Sequence, residues 1–478
     1  LKKEPDIALE KEKITLWQII AAMVMVGIFY IPFSSFKGPA FMGEYQREPA
    51  AIFMVLAVLF LGIQAVITRK INLPFKNLLF QALLVLMGWF VLTFFINIVD
   101  ISQYYFKETS GIERFIRQFA VLIISGILFL VTFYNVFRRY DNITLFYKVR
   151  KVFFYSMLMV TSYGILEILI IKFNMVFFYN ILWIYKWFPF TDVYLHFGHD
   201  RISSVTYEAP ALATYLLTVS GWMFSYIITE KGLKRFLPAI AVIVLALFSD
   251  SRAGLVIIGV QVLLFGFLLI KKKEHHSLFL KLIGLSAVLI FAVGIFKGKV
   301  IAEYITEKIT SFGVQDDNHS ISNRSRFGIQ YASYEVFKEN PIVGVGYGMQ
   351  AYEAKDKYPN WATVGNWEFK LKYLNQTFPS FPPGYNVYTR ILAETGIIGM
   401  ILFLLFLTLI IAACLSLIRK NDDRYLLALV VLISMVGFCF NWLKMDTIRV
   451  FGFWVSFALL LKMTGTTVFK QNKAKGDG

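Results

Sequence analysis

The chain has 478 residues, of which 57% are hydrophobic and only 17% charged, against roughly 45–50% apolar and about 25% charged in a soluble domain. That balance excludes a soluble enzyme, a disordered chain and a disulfide-stapled secreted domain. It implies an all-α polytopic membrane protein, since a helix satisfies its backbone polar groups within its own segment. The 48 Lys and Arg against 31 Asp and Glu leave a formal net charge of +17, which in such a chain points first to cytoplasmic loops facing anionic lipid.

In chain order, apolar runs fall near 14–33, 49–68, 78–98, 115–137, 152–171, 210–228, 236–249, 253–271, 277–297, 396–418, 425–441 and 447–464. These predict about 12 transmembrane helices. No small-residue cleavage site ends the first run, so it is kept as a helix. Cys414 and Cys439 lie inside apolar runs and read as packing residues.

Basic residues set the orientation. One series of short loops holds Arg69, Lys70 and Lys76, then Arg138, Arg139, Lys148, Arg150 and Lys151, then Lys231, Lys234 and Arg235. Lys271–Lys273 and Arg419, Lys420 and Arg424 continue it, whereas the loops between hold little more than Lys37, Arg47, Lys107, Arg114, Arg252 and Lys444. The rich side is cytoplasmic, and both termini are expected there. The expected organisation is helices one to nine over 1–297 with an outer loop at 172–209, and a large extracytoplasmic loop domain over 298–395. Helices ten to twelve follow over 396–464, with a polar, disordered cytoplasmic tail over 465–478. Within the outer loop, the aromatic stretch Phe177–Phe190 is expected along the interface.

The residues that could carry chemistry lie on the outer side. Arg201 precedes the sixth span and Arg252 sits in the short turn Ser249–Gly254. Either alone reads as a snorkelling interface arginine or, for Arg252, as a local partner of Asp250. Together they suggest a paired anion clamp, because guanidinium forks match phosphate oxygens. Arg326 opens a predicted loop helix over 326–339 and is a third candidate. Glu208 stands two residues before Pro210, where helix capping and base catalysis are equal readings. His196, His199 and His319 also fall outside, as loop residues or as a base near neutral pH. The run Gly344–Gly348 has the spacing of a potassium filter, but no pore helix precedes it and one chain gives no four-fold pore. No His or Cys stands in ligand spacing, so no metal site is expected.

Four stretches carry a resemblance. They are Arg201 followed by Glu208 and Pro210, the turn SDSRAGLVIIGV (249–260), the loop ENPIVGVGYG (339–348) and the segment YNVYTRILAETGIIGMILF (385–403). In this order they resemble the O-antigen polymerase and O-antigen ligase superfamily of bacterial envelope glycosyltransferases. The resemblance implies a GT-C-type, metal-independent enzyme without a cofactor at the outer face of the bacterial plasma (inner) membrane. It implies a donor and an acceptor linked to undecaprenyl diphosphate, with membrane lipid and a chain-length regulator protein as further partners and no nucleic acid.

On this reading Arg201, Arg252 and Arg326 bind the donor diphosphate, and Arg252 also steadies the departing charge. Ligases carry a proposed base histidine where this chain has Tyr385, followed by Asn386, Gly396 and Gly399. A phenol of pKa about 10 is a poor base, so the expectation favours a polymerase of O-antigen, capsule or exopolysaccharide repeat units. Glu208 is then the alternative base and Tyr385 orients the acceptor. His199, Asn386, Trp361 and Trp367 are acceptor-side candidates, with Tyr373 and Phe381 as further aromatics. These rings would stack on sugars or simply pack the loop's own core. A ligase of the same superfamily is the second reading, and a transporter or flippase of lipid-linked glycans the third.

Overall fold

The computed structural model describes residues 15–195, 201–271 and 320–465. The apolar runs fold as α1 (Leu16–Phe29), α2 (Pro49–Thr68), α3 (Leu78–Ile96), α4 (Gly111–Phe137), α5 (Asn142–Ile171) and α6 (Ala209–Thr229). They continue as α7 (Leu237–Phe248) and α8 (Arg252–Ile270). The polar helix α9 (Ser320–Glu339) precedes α10 (Val387–Lys420), α11 (Tyr425–Asn441) and α12 (Phe451–Thr464). Seven of these, α2 to α6, α8 and α10, are long and apolar enough to cross a membrane. Helices α1, α7, α11 and α12 are apolar but shorter. The chain is thus a largely helical multi-pass membrane protein. The expected span 277–297 and the tail 466–478 lie outside the described residues, so the count of twelve remains an expectation.

Helix α6 packs against α5, α7, α8 and α11. Gly221 permits a close approach to α11, since a Cβ there would lie 2.8 Å from the Val430 carbonyl oxygen. The buried Gln261 of α8 donates from Nε2 to Leu217 O at 2.8 Å and Ile433 O at 2.9 Å, tying three helices where no water competes. At one end of the bundle Arg150 pairs with Glu230 at 2.9 Å and Asn77 donates to Thr464 at 2.8 Å. At the other end, the turns at 201–208, 249–251 and 442–450 share a face with α9 and the remainder of the large loop.

Helix α10 starts at Val387, earlier than the apolar run at 396, because Asn386 caps it. The Asn386 Oδ1 accepts from Tyr388 N at 2.8 Å and Thr389 N at 3.3 Å. The helix then breaks at Gly396, whose φ of 65° is left-handed. The proline–glycine loop fills the break. Ile397 N donates to Pro341 O at 2.8 Å, Val345 N to Ala393 O at 3.0 Å and Gly346 N to Glu394 O at 2.9 Å. Irregular backbone at this depth is tolerated only when protein satisfies it, and here two segments satisfy each other. The glycine spacing at 344–348 therefore has a packing explanation. A Cβ at Gly396 would meet Ile342 O at 2.2 Å, and the positive φ adds strain. Gly396→Ala should cost about 2–4 kcal/mol, read as a large fall in the unfolding midpoint of the purified protein. An unchanged midpoint would mean that the break relaxes without cost.

Candidate functional site

Four helix ends build the site. Helix α9 begins near Ser320 and places Asn323, Arg326 and Gln330 about one turn apart on one face. Asn323 accepts from Arg252 Nη2 at 3.4 Å, and Arg326 lies over the Tyr385 ring at 5.5 Å. Gln330 accepts from Asn386 Nδ2 at 3.4 Å. One helix face thus connects the turn before α8 to the residues that open α10. Arg252 is itself the first residue of α8, where Ser251 caps by accepting from Gly254 N at 3.3 Å.

Arg201 reaches the same turn by its backbone, since Ile202 N donates to Phe248 O at 3.2 Å. The segment that carries it is held by a residue absent from the expected set. Glu167 is a wholly buried carboxylate near the end of α5. It accepts from Ser203 N at 3.1 and 3.2 Å and from Ser204 N at 2.7 Å. An ionisable residue inside an apolar run marks a functional candidate by itself, and that signal stood in the sequence at 167. Its geometry fits a positioning residue for the 201–208 segment. Glu208 ends this segment as the N-cap of α6 but makes no side-chain capping bond, and its carboxylate is exposed. The plain capping reading therefore has no hydrogen bond behind it.

Not every arginine nearby belongs to the site. Arg390 pairs with Glu394 at 3.0 Å, and Arg449 with Glu48 at 2.8 Å. Arg114 donates to Gly348 O at 2.7 Å and stacks on Phe381 at 3.6 Å. These three are neutralised or capped by their own fold. Arg201 and Arg326 differ. Each has a buried Nε that meets no acceptor among the described residues, a costly state for a guanidinium unless an anion completes it.

Tyr385 sits at a left-handed φ of 55° just before α10. Its hydroxyl shares a hydrogen bond with that of Tyr373 at 2.7 Å. Burial raises the pKa of Tyr385, although the bond from Tyr373 works the other way. The phenol therefore stays protonated at neutral pH. It can orient a bound hydroxyl but is a poor proton acceptor.

The loop aromatics divide. Tyr373 packs with Ile329, Ala362 and Phe369 in a small core of the loop, whereas Phe381 meets Phe106 edge to face and lies under the Arg114 guanidinium. Trp361 and Trp367 are 44% and 46% exposed, so packing of the loop's own core accounts for Tyr373, packing on the 106–114 segment for Phe381, and neither for the two tryptophans. The buried ammonium of Lys107 holds this loop in place, donating to Lys372 O, Asn375 O and Phe378 O at 2.6, 3.0 and 2.9 Å. His199, like His196 and His319, lies outside the described residues.

Residues 237–404 match the family described as O-antigen ligase. The match is consistent with the O-antigen ligase and polymerase superfamily that the sequence resembles. It covers Arg252, Arg326, Tyr385 and Asn386, while Arg201, Glu208 and Glu167 precede it. No curated protein matches the chain.

Proposed function

We propose that this chain is a metal-independent polysaccharide polymerase acting at the outer face of the plasma membrane. It joins glycan repeat units carried on undecaprenyl diphosphate. The observation that supports this best is a set of guanidinium groups, with Arg326 on α9, Arg252 bonded to α9, and Arg201 beside the end of α7 that leads into the Arg252 turn. Arg201 and Arg326 keep a buried Nε–H without an acceptor among the described residues, and Arg252 is tied to α9 through Asn323. Two other arginines nearby, Arg390 and Arg449, are by contrast paired with carboxylates. Unpaired donors of this kind suit a diphosphate.

In the reaction, a sugar hydroxyl of the acceptor attacks the anomeric carbon of the donor. The bond from that carbon to the diphosphate oxygen breaks, and the lipid diphosphate leaves with the electron pair. Arg201, Arg252 and Arg326 stabilise the charge that grows on it. Glu208 takes the hydroxyl proton, Tyr385 and Asn386 orient the acceptor, and Trp361 and Trp367 offer exposed rings to its sugars. A ligase remains the second reading because the matched family is described as O-antigen ligase. Nothing favours a transporter, which would leave the glycan covalently unchanged.

The test supplies purified protein with lipid-linked repeat units alone and separates the products by length. A ladder of lengthening glycans is the expected result. No ladder, with transfer onto an added lipid core or protein instead, would establish the ligase reading.

A further inference from the structure

Lys444 stands in the turn between α11 and α12, and the fold holds that turn firmly against the start of α10. Val387 N donates to both Trp442 O and Met445 O at 2.9 Å. Gly384 N donates to Asp446 Oδ2 at 2.7 Å, and Arg390 Nη1 to Asp446 O at 2.9 Å. The turn is thus fixed beside Tyr385, the residue over which Arg326 lies. The Lys444 Nζ is shut from solvent and has no hydrogen-bond acceptor among the described residues. Lys107 shows what a structural lysine looks like in this protein, with three carbonyls around its ammonium. Lys444 has none.

The charged groups that act on it are Arg326 on α9, which repels its proton, and Glu208 at the start of α6, which holds it. A buried ammonium beside an arginine, with no acceptor, is unfavourable until an anion arrives. We infer that Lys444 is a further cationic ligand of the donor diphosphate, acting beside Arg326 and opposite Glu208. The inference rests on the glycosyltransferase reading above and adds a residue outside the matched segment.

A consequence in pH follows from the same geometry. Burial first, and then Arg326, push the Lys444 pKa down to about 8, with Glu208 opposing them. A bound diphosphate favours the charged form and raises that pKa. Binding therefore takes up a proton above pH 8. Affinity is full below about pH 8 and falls as pH rises past it, by about tenfold per unit while the bound form stays protonated.

The experiment measures binding of a farnesyl methyl diphosphate diester to the purified protein in detergent by calorimetry, between about pH 6.5 and 9.5. A diester phosphate does not titrate there. We expect wild-type affinity to decline above pH 8. Lys444→Met should weaken binding by about tenfold or more at pH 7 and abolish the decline. Lys444→Arg should keep most of the affinity and also lose the decline, which a merely structural lysine would not do. Lys444→Arg also keeps the test decisive if Lys444→Met fails to fold. Wild-type affinity and slope surviving in either folded variant would overturn the role of Lys444 alone. No binding by the wild type at any pH would instead overturn the diphosphate reading on which it rests.

Discussion

Arg252→Ala should lower the formation of the glycan ladder by about 10²–10³-fold, the usual loss when one preorganised donor to a developing anion is removed. The residue is the first of α8 and reaches α9 through Asn323 at 3.4 Å, so its guanidinium is aimed across the site rather than along the bilayer surface. A snorkelling arginine would need no partner on a polar loop helix. Arg252→Lys keeps the charge but gives up the planar fork, and it should recover only part of the activity. The substitution leaves the packing of α8 on α6 alone, because that contact runs through Gly254 and Ala213. Melting curves of the variants should therefore match the wild type while turnover falls. Full turnover in Arg252→Ala would remove Arg252 from the reaction.

Much of the scaffold was legible in the sequence because lipid imposes length and apolarity on each span. The runs at 49–68 and 425–441 return as helices over the same residues. The sequence also put Arg201, Arg252 and Arg326 forward as a set, since arginines near a membrane need a reason. Pairings between distant segments were hidden. Nothing local in residues 341–346 says that they fill a break at Gly396, because the bonds concerned join loop and helix about fifty residues apart. Glu167 was legible as an isolated acid in an apolar run, yet its task became visible only with Ser203 and Ser204 folded back on it. Lys444 read as one scarce outer charge among several. Its burial, without an acceptor among the described residues, depends on how the 442–446 turn locks to residues 384–390. Composition fixes which residues enter the membrane, whereas helix register decides which of them meet.

Glu208→Gln should cost more activity than Tyr385→Phe, by about 10²-fold or more against a few-fold, since general-base catalysis is worth about 10²–10⁴. The phenol of Tyr385 is half-buried near Arg326 and bonded to Tyr373 at 2.7 Å. Taking a proton would require it to ionise first, and burial opposes that. Its removal deletes one hydrogen bond to an incoming hydroxyl and leaves the ring under the Arg326 guanidinium. Glu208 has the opposite character. It is exposed, makes no capping bond at α6 and acts on Lys444 across the site. Gln keeps its shape and cannot accept the proton. Fold and diphosphate binding should survive in Glu208→Gln, so the loss should appear in kcat with little change in the affinity for a diphosphate diester. Equal losses in Tyr385→Phe and Glu208→Gln would move the base away from Glu208. A loss confined to diester affinity would make Glu208 a partner of Lys444 rather than a base, and the acceptor proton would then have to leave by water.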